Sequence, residues 1–391
     1  MYVDADLRRA MDADGIAWPP RAGQSNAAVE DVFSEDVYAD TARLFYERGW
    51  GDGLPMVPPT EQCVMAMVRG TDLPRDRVLA TVAPLMGQAT VEKVAINAVM
   101  AGCRPAYLPV VIAAVEAMCD PVFDLVGVST TTSPNATLVI LNGPVAGQID
   151  MNSGANALGR GHAANATIGR AVRLVEQNVG GAWPRVSDLS TIGMPGDYGM
   201  ALAENEVACP WEPLHVEHGF EAGHSVVSVA SVEGTQLVMD IDVDDRGFLL
   251  RVTRAICSQQ RLFRPFLIVL APSTASRLAA CGWSKESIRQ FIRENARVHI
   301  SQVDSDVLAG GYSSTRGISE GVSEPDEDGM VTLSVMGDIE IIVAGGFGEK
   351  NTVAHLWSPI VSREVRLPDC WATLAAELST NDAFCSASIP A

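Results

Sequence analysis

Residues 138–170 read LVILNGPVAGQIDMNSGANALGRGHAANATIGR, and this stretch decides the fold class. Leu138 to Leu141 are uniformly apolar, as a strand covered on both faces is. The chain then breaks into a loop rich in Gly and Asn and resumes, from about His162 to Val179, as a helix closed by Gly180-Gly181. A buried strand that feeds a helix through a glycine loop is the unit of an α/β protein.

The flanking sequence repeats the pattern. Asp36 to Trp50 has helical periodicity and stops at the turn Gly51-Asp52-Gly53-Leu54-Pro55. Thr60 caps a helix ending at Gly70, Thr90 caps VEKVAINAVMAG, and Pro109 to Met118 forms another helix. Further on, Val226 to Val232, Leu237 to Ile241, Phe266 to Leu270 and Ile339 to Ala344 read as strands, with Val361 to Leu367 pairing at an edge. Phe248 to Ser258 and a Ser284-capped segment to about Arg297 read as helices. The expected architecture is α/β, with mixed sheets and flanking helices. Two α/β portions, residues 31–222 and 223–370, are joined by a long ordered loop region over 184–220, and no internal repeat of steady period is seen. Residues 1–30 read as an arm, 304–329 as an acidic insertion and 371–391 as a tail.

Charge narrows the functions. A formal net charge of −20 argues against nucleic acid or an anionic membrane as partner, since both require concentrated basic surface. The longest apolar stretch, Tyr107 to Met118, contains Glu116 and falls short of the roughly twenty residues a membrane span needs. Met1 to Arg9 lacks the pattern of a targeting leader, and eight scattered cysteines without a CxxC suit reduced thiols in a cytoplasm, with no structural disulfide. The arm suggests a partner subunit, hence a homo-oligomer, a dimer being the simplest.

Against the acidic background, Met151 to Val175 contains no Asp or Glu but carries Arg160, Arg170 and Arg173. Backbone N–H groups at a helix start carry roughly half a positive charge, so this loop-to-helix junction is the expected site for a small anion. Asn152, Ser153, Arg160, Asn165, Thr167 and Arg170 are the expected substrate-binding residues. Gly159-Arg160-Gly161 lacks the Gly-Lys-Ser/Thr of a Walker loop and the full GxGxxG of a dinucleotide site.

A second constellation lies in ENEVACPWEPLHVEHGFEAGH, residues 204–224. It holds three of the six histidines close to several carboxylates, the pairing that proton transfer or a metal requires. Glu204, Glu206 and His215 are the expected proton-moving groups, with His215 and Glu217 on one face as ligands for a divalent metal if residues 214–218 are extended. Cys103, beside Arg104, is the candidate thiol, and Cys209 lies in the acid-rich loop.

At WGDGLPMVPPTE, ATVEKVAINAVMAGCRP, NSGANALGRGHAANATIGRAVRLV, the ENE and WEPLHVEHGF stretch and IIVAGGFGEK, the chain resembles the UGSC family of bacterial selenoproteins and their cysteine homologues. It resembles their large domain without the small Cys/Sec-Gly-Ser-Cys module. The resemblance implies thiol or selenol redox chemistry, which here requires a partner protein carrying that motif, because no Cys-Gly-Ser-Cys occurs in this chain. The family's late Gly-Lys-His is interrupted here by Gly348-Glu349-Lys350-Asn351, with His355 further on.

The residues thus point to an enzyme that acts on a small anionic metabolite, a carboxylate or an amino-acid-derived compound, by acid–base or metal-assisted chemistry of the lyase or hydrolase kind. The alternatives are a redox subunit working with a CGSC or UGSC partner through Cys103 or Cys209, and a non-catalytic ligand-binding protein.

Overall fold

In the N-terminal part, helices α1 (Val37–Arg48) and α2 (Glu61–Val68) precede the antiparallel pair β1 (Val78–Val82) and β2 (Gly87–Thr90) and then α3 (Val91–Ala101). The side chains of Thr60 and Thr90 accept from the N–H groups of Cys63 and Lys93, and Gly102 closes α3 at φ 89°, a left-handed conformation that glycine adopts without strain. The computed structural model describes residues 37–258, 264–303, 323–333, 335 and 337–379; the arm expected over 1–30 and most of the insertion expected over 304–329 lie outside these.

The first half of the main sheet runs α4 (Leu108–Met118), α5 (Leu125–Thr130), β3 (Ala136–Asn142), α6 (Pro144–Gln148), α7 (Ala163–Asn178), β4 (Met200–Ala203), the single turn α8 (Leu214–Glu217) and β5 (Val226–Met239). The second half runs α9 (Asp245–Cys257), β6 (Phe266–Leu270), α10 (Pro272–Ala280), α11 (Lys285–Asn295), the short antiparallel pair β7 (Arg297–His299) and β8 (Met330–Thr332), β9 (Ile339–Val343) and β10 (Lys350–Leu356). β11 (Val361–Glu364) and α12 (Trp371–Ser379) follow.

The seven-stranded sheet has the order β4-β3-β5-β10-β6-β9, with β11 added to β5. This order reads the same from either end. β3 pairs with β4 in parallel and with β5 antiparallel; β6 pairs with β9 in parallel and with β10 antiparallel; β5 and β10 meet antiparallel between the halves. α6 and α10 each start with proline at the first helical position, where its missing N–H costs nothing. The sheet is therefore internally duplicated: each half has a leading strand, two helices, a strand parallel to the leading one and a strand antiparallel to it, with β11 outside the repeat. β5 closes the first set of strands and α9 precedes the second.

Each strand alternates between two apolar layers. Leu138, Ile140, Leu202, Ala230, Val232, Leu267, Ile342, Ala344, Ala354 and Leu356 form one cluster on a single face of the sheet. The opposite face packs Val139, Leu141, Ala201 and Ala203 against α3, α4 and α7 in the first half, and Ile268, Leu270, Ile341 and Val343 against α9 and α11 in the second. The edge strands β4 and β9 approach each other at their C-terminal ends, where Asn205 donates its N–H to Val343 O at 2.7 Å and Gly154 bridges to Gly345. The sheet is consequently curled around the shared cluster.

Several local expectations change. β4 lies within the stretch read as loop over 184–220, and its four residues are too few for a periodic signal. Val226–Met239 is one strand, with its exposed middle at Thr235 to Leu237 explaining why it reads as two. The start of the expected tail is α12, tied down by a hydrogen bond from Trp371 to Gln148 and by an Arg69–Glu377 ion pair. Cys63 is disulfide-bonded, against the expectation of reduced thiols throughout. No helix among the described residues is long and apolar enough to cross a membrane.

Candidate functional site

β3 and β4 run parallel with Leu141 opposite Ala203, so Asn142 and Glu204 leave their strands side by side. The Asn142 carboxamide donates to Glu204 Oε2 at 2.7 Å and to Glu206 Oε1 at 2.9 Å. Gly143 N–H adds a 2.6 Å bond to the same Glu206 oxygen. Only glycine fits there, because a Cβ would stand 2.2 Å from the His224 carbonyl oxygen and φ is +86°. Glu204 Oε2 also accepts the Leu214 N–H at 2.9 Å, which anchors α8 at its first residue. The next residue, His215, thereby comes to lie with Nδ1 4.0 Å from Glu206 Oε1.

The cluster is closed on one side and open on the other. Asn142 and His215 are fully buried and Glu204 is 4% exposed, whereas the Glu206 side chain is 28% exposed. Four buried atoms here, Asn142 Oδ1, Glu204 Oε1 and both ring nitrogens of His215, make no hydrogen bond. An unpaired buried polar atom costs roughly 1–3 kcal/mol. Burial pushes the Glu204 carboxyl up; the Lys285 charge and the N–H groups of Asn142 and Leu214 pull it back only in part, leaving it above the usual carboxylate range. Glu204 thus holds a proton in a pH range where ordinary glutamates have lost theirs.

The duplication supplies an internal control. Glu204 donates its N–H to Leu141 O at 3.1 Å, and Ala344 donates to Leu270 O at 3.0 Å in the same relation. At this second corner the residue after Leu270 is Ala271, the counterpart of Asn142, and two residues beyond Ala344 stands Gly346, the counterpart of Glu206. The equivalent positions of the second corner carry alanine and glycine, and there the Ala271 N–H is taken by the Asn351 carboxamide oxygen at 2.9 Å.

The glycine- and asparagine-rich loop flanks this corner. Ala203 donates to Asn152 O at 3.2 Å and Gly345 to Ser153 O at 2.8 Å, placing the loop beside the residue that precedes Glu204. Within it, Asn165 is a buried clip: its Oδ1 accepts the Asn152 N–H, and its Nδ2 faces the carbonyls of Asn152, Ala157 and Ala201. The Asn152 side chain closes its own turn onto Gly154 N and Ala155 O. Thr167 bonds back to Ala163 O. Arg170 grips Asp52 with two bonds of 2.6 and 2.8 Å, and Arg173 is shared among Glu176, Asp188 and Asp197. The positive patch is therefore narrower than the sequence suggests, because carboxylates from distant segments neutralise two of its three arginines. Arg160 remains exposed at the start of α7, whose N-cap, His162, makes no side-chain cap bond.

The remaining candidates lie elsewhere. Residues 214–217 are helical rather than extended, and Glu217 bonds Lys285 and Arg289 instead of meeting His215. Among the described residues no group of three His, Cys, Asp or Glu side chains is arranged to hold a metal ion. Cys103 is buried, donates to Thr167 O at 3.2 Å, and burial pushes its thiol up to about 12, outweighing any help from a neighbouring arginine. Cys209 is raised for the same reason. His355 is a core residue, stacked edge-on against Phe266 at 5.3 Å. Asn142 is the member that sequence reasoning missed, and its signal was an amide closing an otherwise apolar strand.

Comparison with protein-family models, curated proteins and solved structures finds no match.

Proposed function

We propose that the protein is an enzyme that moves a proton on a small carboxylate-bearing metabolite at the Asn142–Glu204–Glu206–His215 corner. The observation that carries this reading is the set of four unpaired buried polar atoms at one corner of a fold whose other corner is Ala271, Ala344 and Gly346. Glu204, kept protonated by burial, is the acid. Glu206, at the solvent edge, takes the substrate proton, with His215 Nδ1 4.0 Å from its carboxylate. Asn142 holds the two carboxyl groups in register. The carboxylate of the metabolite is received by Arg160 and the uncapped first turn of α7, next to the loop that borders Glu204.

The test follows exchange of carbon-bound hydrogen for deuterium in small hydroxy- and amino-carboxylates by NMR in D2O. Wild-type protein exchanges one of them, and Glu206→Gln lowers the rate by roughly 10²–10⁴-fold, the usual worth of a positioned acid or base. Binding without exchange, equal in wild type and in Glu206→Gln, would establish a non-catalytic binding protein instead.

A further inference from the structure

The turn that delivers His215 ends at His218, and this second histidine joins a different set of side chains. Its Nδ1 lies 2.8 Å from Ser362 Oγ, and its Nε2 3.3 Å from Glu340 Oε1. Ser362 sits on the edge strand β11 directly opposite Ser228 of β5, with the two hydroxyl oxygens 2.7 Å apart. Arg289 reaches the Glu340 carboxylate from α11 at 3.6 Å while also holding Glu217.

The protons in this network are constrained by Glu340. Burial pushes the Glu340 carboxyl up, but the hydrogen bond from His218 and the charges of His218, Arg289 and Lys285 outweigh it and hold the group below the usual carboxylate range. An ionised Glu340 can only accept, so Nε2 carries a proton; when the ring is neutral, Nδ1 is then an acceptor, whereas an imidazolium donates from both nitrogens. With the ring neutral, Ser362 donates to Nδ1 and is free to accept from the fully buried Ser228. In that state Ser362, His218 and Glu340 stand in the order in which an imidazole draws a proton from a hydroxyl while a carboxylate steadies the imidazolium, with Ser228 behind Ser362. These groups meet solvent: the His218 and Glu340 side chains are 19% and 18% exposed, Ser362 is half-buried, and the segment that follows His218, Gly219 to Gly223, is mostly exposed.

We propose that Ser362 is a nucleophile, with His218 as its general base and Glu340 orienting that base, and that this centre hydrolyses a small activated ester. Ser362 Oγ attacks the acyl carbon and its proton passes to His218 Nδ1. The bond from the acyl carbon to the leaving oxygen breaks, and that oxygen departs as an alcohol with the proton from His218. Water then attacks the acyl-serine ester, giving one proton to His218; the carboxylic acid leaves and the proton returns to Ser362 Oγ. This inference is independent of turnover at the Glu204 corner.

Incubation of the full chain with a fluorophosphonate, followed by proteolysis and mass spectrometry, tests the proposal. One phosphonyl group is expected on the peptide containing Ser362, none in Ser362→Ala, and labelling at least tenfold slower in His218→Asn and Glu340→Gln. A second readout does not depend on loss of structure: the thiol of the Ser362→Cys variant is expected to react with iodoacetamide at least tenfold faster than the exposed Cys281 of the same molecule. A wild-type protein left unmodified at Ser362, or a Ser362→Cys thiol no faster than Cys281, would overturn the assignment.

Discussion

Glu204 and Ala344 occupy equivalent positions in the two halves of the sheet, each donating its backbone N–H to the leading strand of its own half, to Leu141 and to Leu270. The backbone is the same and the side chains differ in kind. Burying the Glu204 carboxyl group has a measurable cost. Glu204 is raised above its unfolded value, so its contribution to stability is complete below the unfolded pKa and is lost as pH rises through the folded one. Thermal melts of wild type against Glu204→Gln across pH 4 to 9 should show wild type losing stability relative to the variant as pH increases. A constant difference would indicate a carboxyl group with no shift.

Arg170 is bound by Asp52 with both side chains largely shielded from solvent, and this pairing makes it a structural residue of the α7 start. Removing one member of such a pair leaves a partly buried charge, which costs about 3 kcal/mol. Asp52→Ala and Arg170→Ala are therefore both expected to lower denaturant stability by that order. Arg160→Ala, at an exposed position, is expected to stay within about 0.5 kcal/mol of wild type while weakening carboxylate binding by roughly 1–3 kcal/mol. An Arg160→Ala variant with unchanged affinity would move the anion subsite elsewhere.

Cys103 is held as a thiol by burial, with a pKa pushed up to about 12. Native protein at pH 8 should leave Cys103 unmodified by iodoacetamide while the exposed Cys281 and Cys370 react, and Cys103→Ser should retain the deuterium exchange described above. Rapid native-state labelling of Cys103 would restore it as a redox candidate.

Asn165 satisfies its whole carboxamide inside the protein, tying the 152–157 loop to β4. Asn165→Ala should cost about 2–3 kcal/mol by leaving buried backbone groups unpaired. A variant of wild-type stability with lost ligand binding would instead mark Asn165 as a contact to the ligand.

How much of this could be read from the sequence depends on how local each signal is. The helix punctuation by Thr60, Thr90, Gly102 and Ser284 is decided within four residues, and the strand at Leu138 to Leu141 declares itself by being apolar on both faces. Glu204, Glu206 and His215 stood out because they fall within twelve residues of one another. Asn142 did not, since its link to Glu204 exists only once β3 and β4 pair. The fate of Arg170 was equally hidden, because Asp52 arrives from a distant turn. The duplication escaped for a different reason: Leu141 answers to Leu270 and Glu204 to Ala344, but the connections between these strands differ in length and composition, so no fixed spacing survives. His218, Ser362 and Glu340 come from three separated segments, and only the curled sheet joins them.

The account rests on Glu204 being protonated where ordinary glutamates are not. Carbon-13 NMR of protein labelled at glutamate Cδ, with Glu204→Gln to assign the resonance, measures this directly. The predicted result is a Glu204 signal that stays in its protonated position after the exposed glutamates have ionised and shifts only at higher pH. A Glu204 signal that titrates together with the exposed glutamates would contradict the central claim.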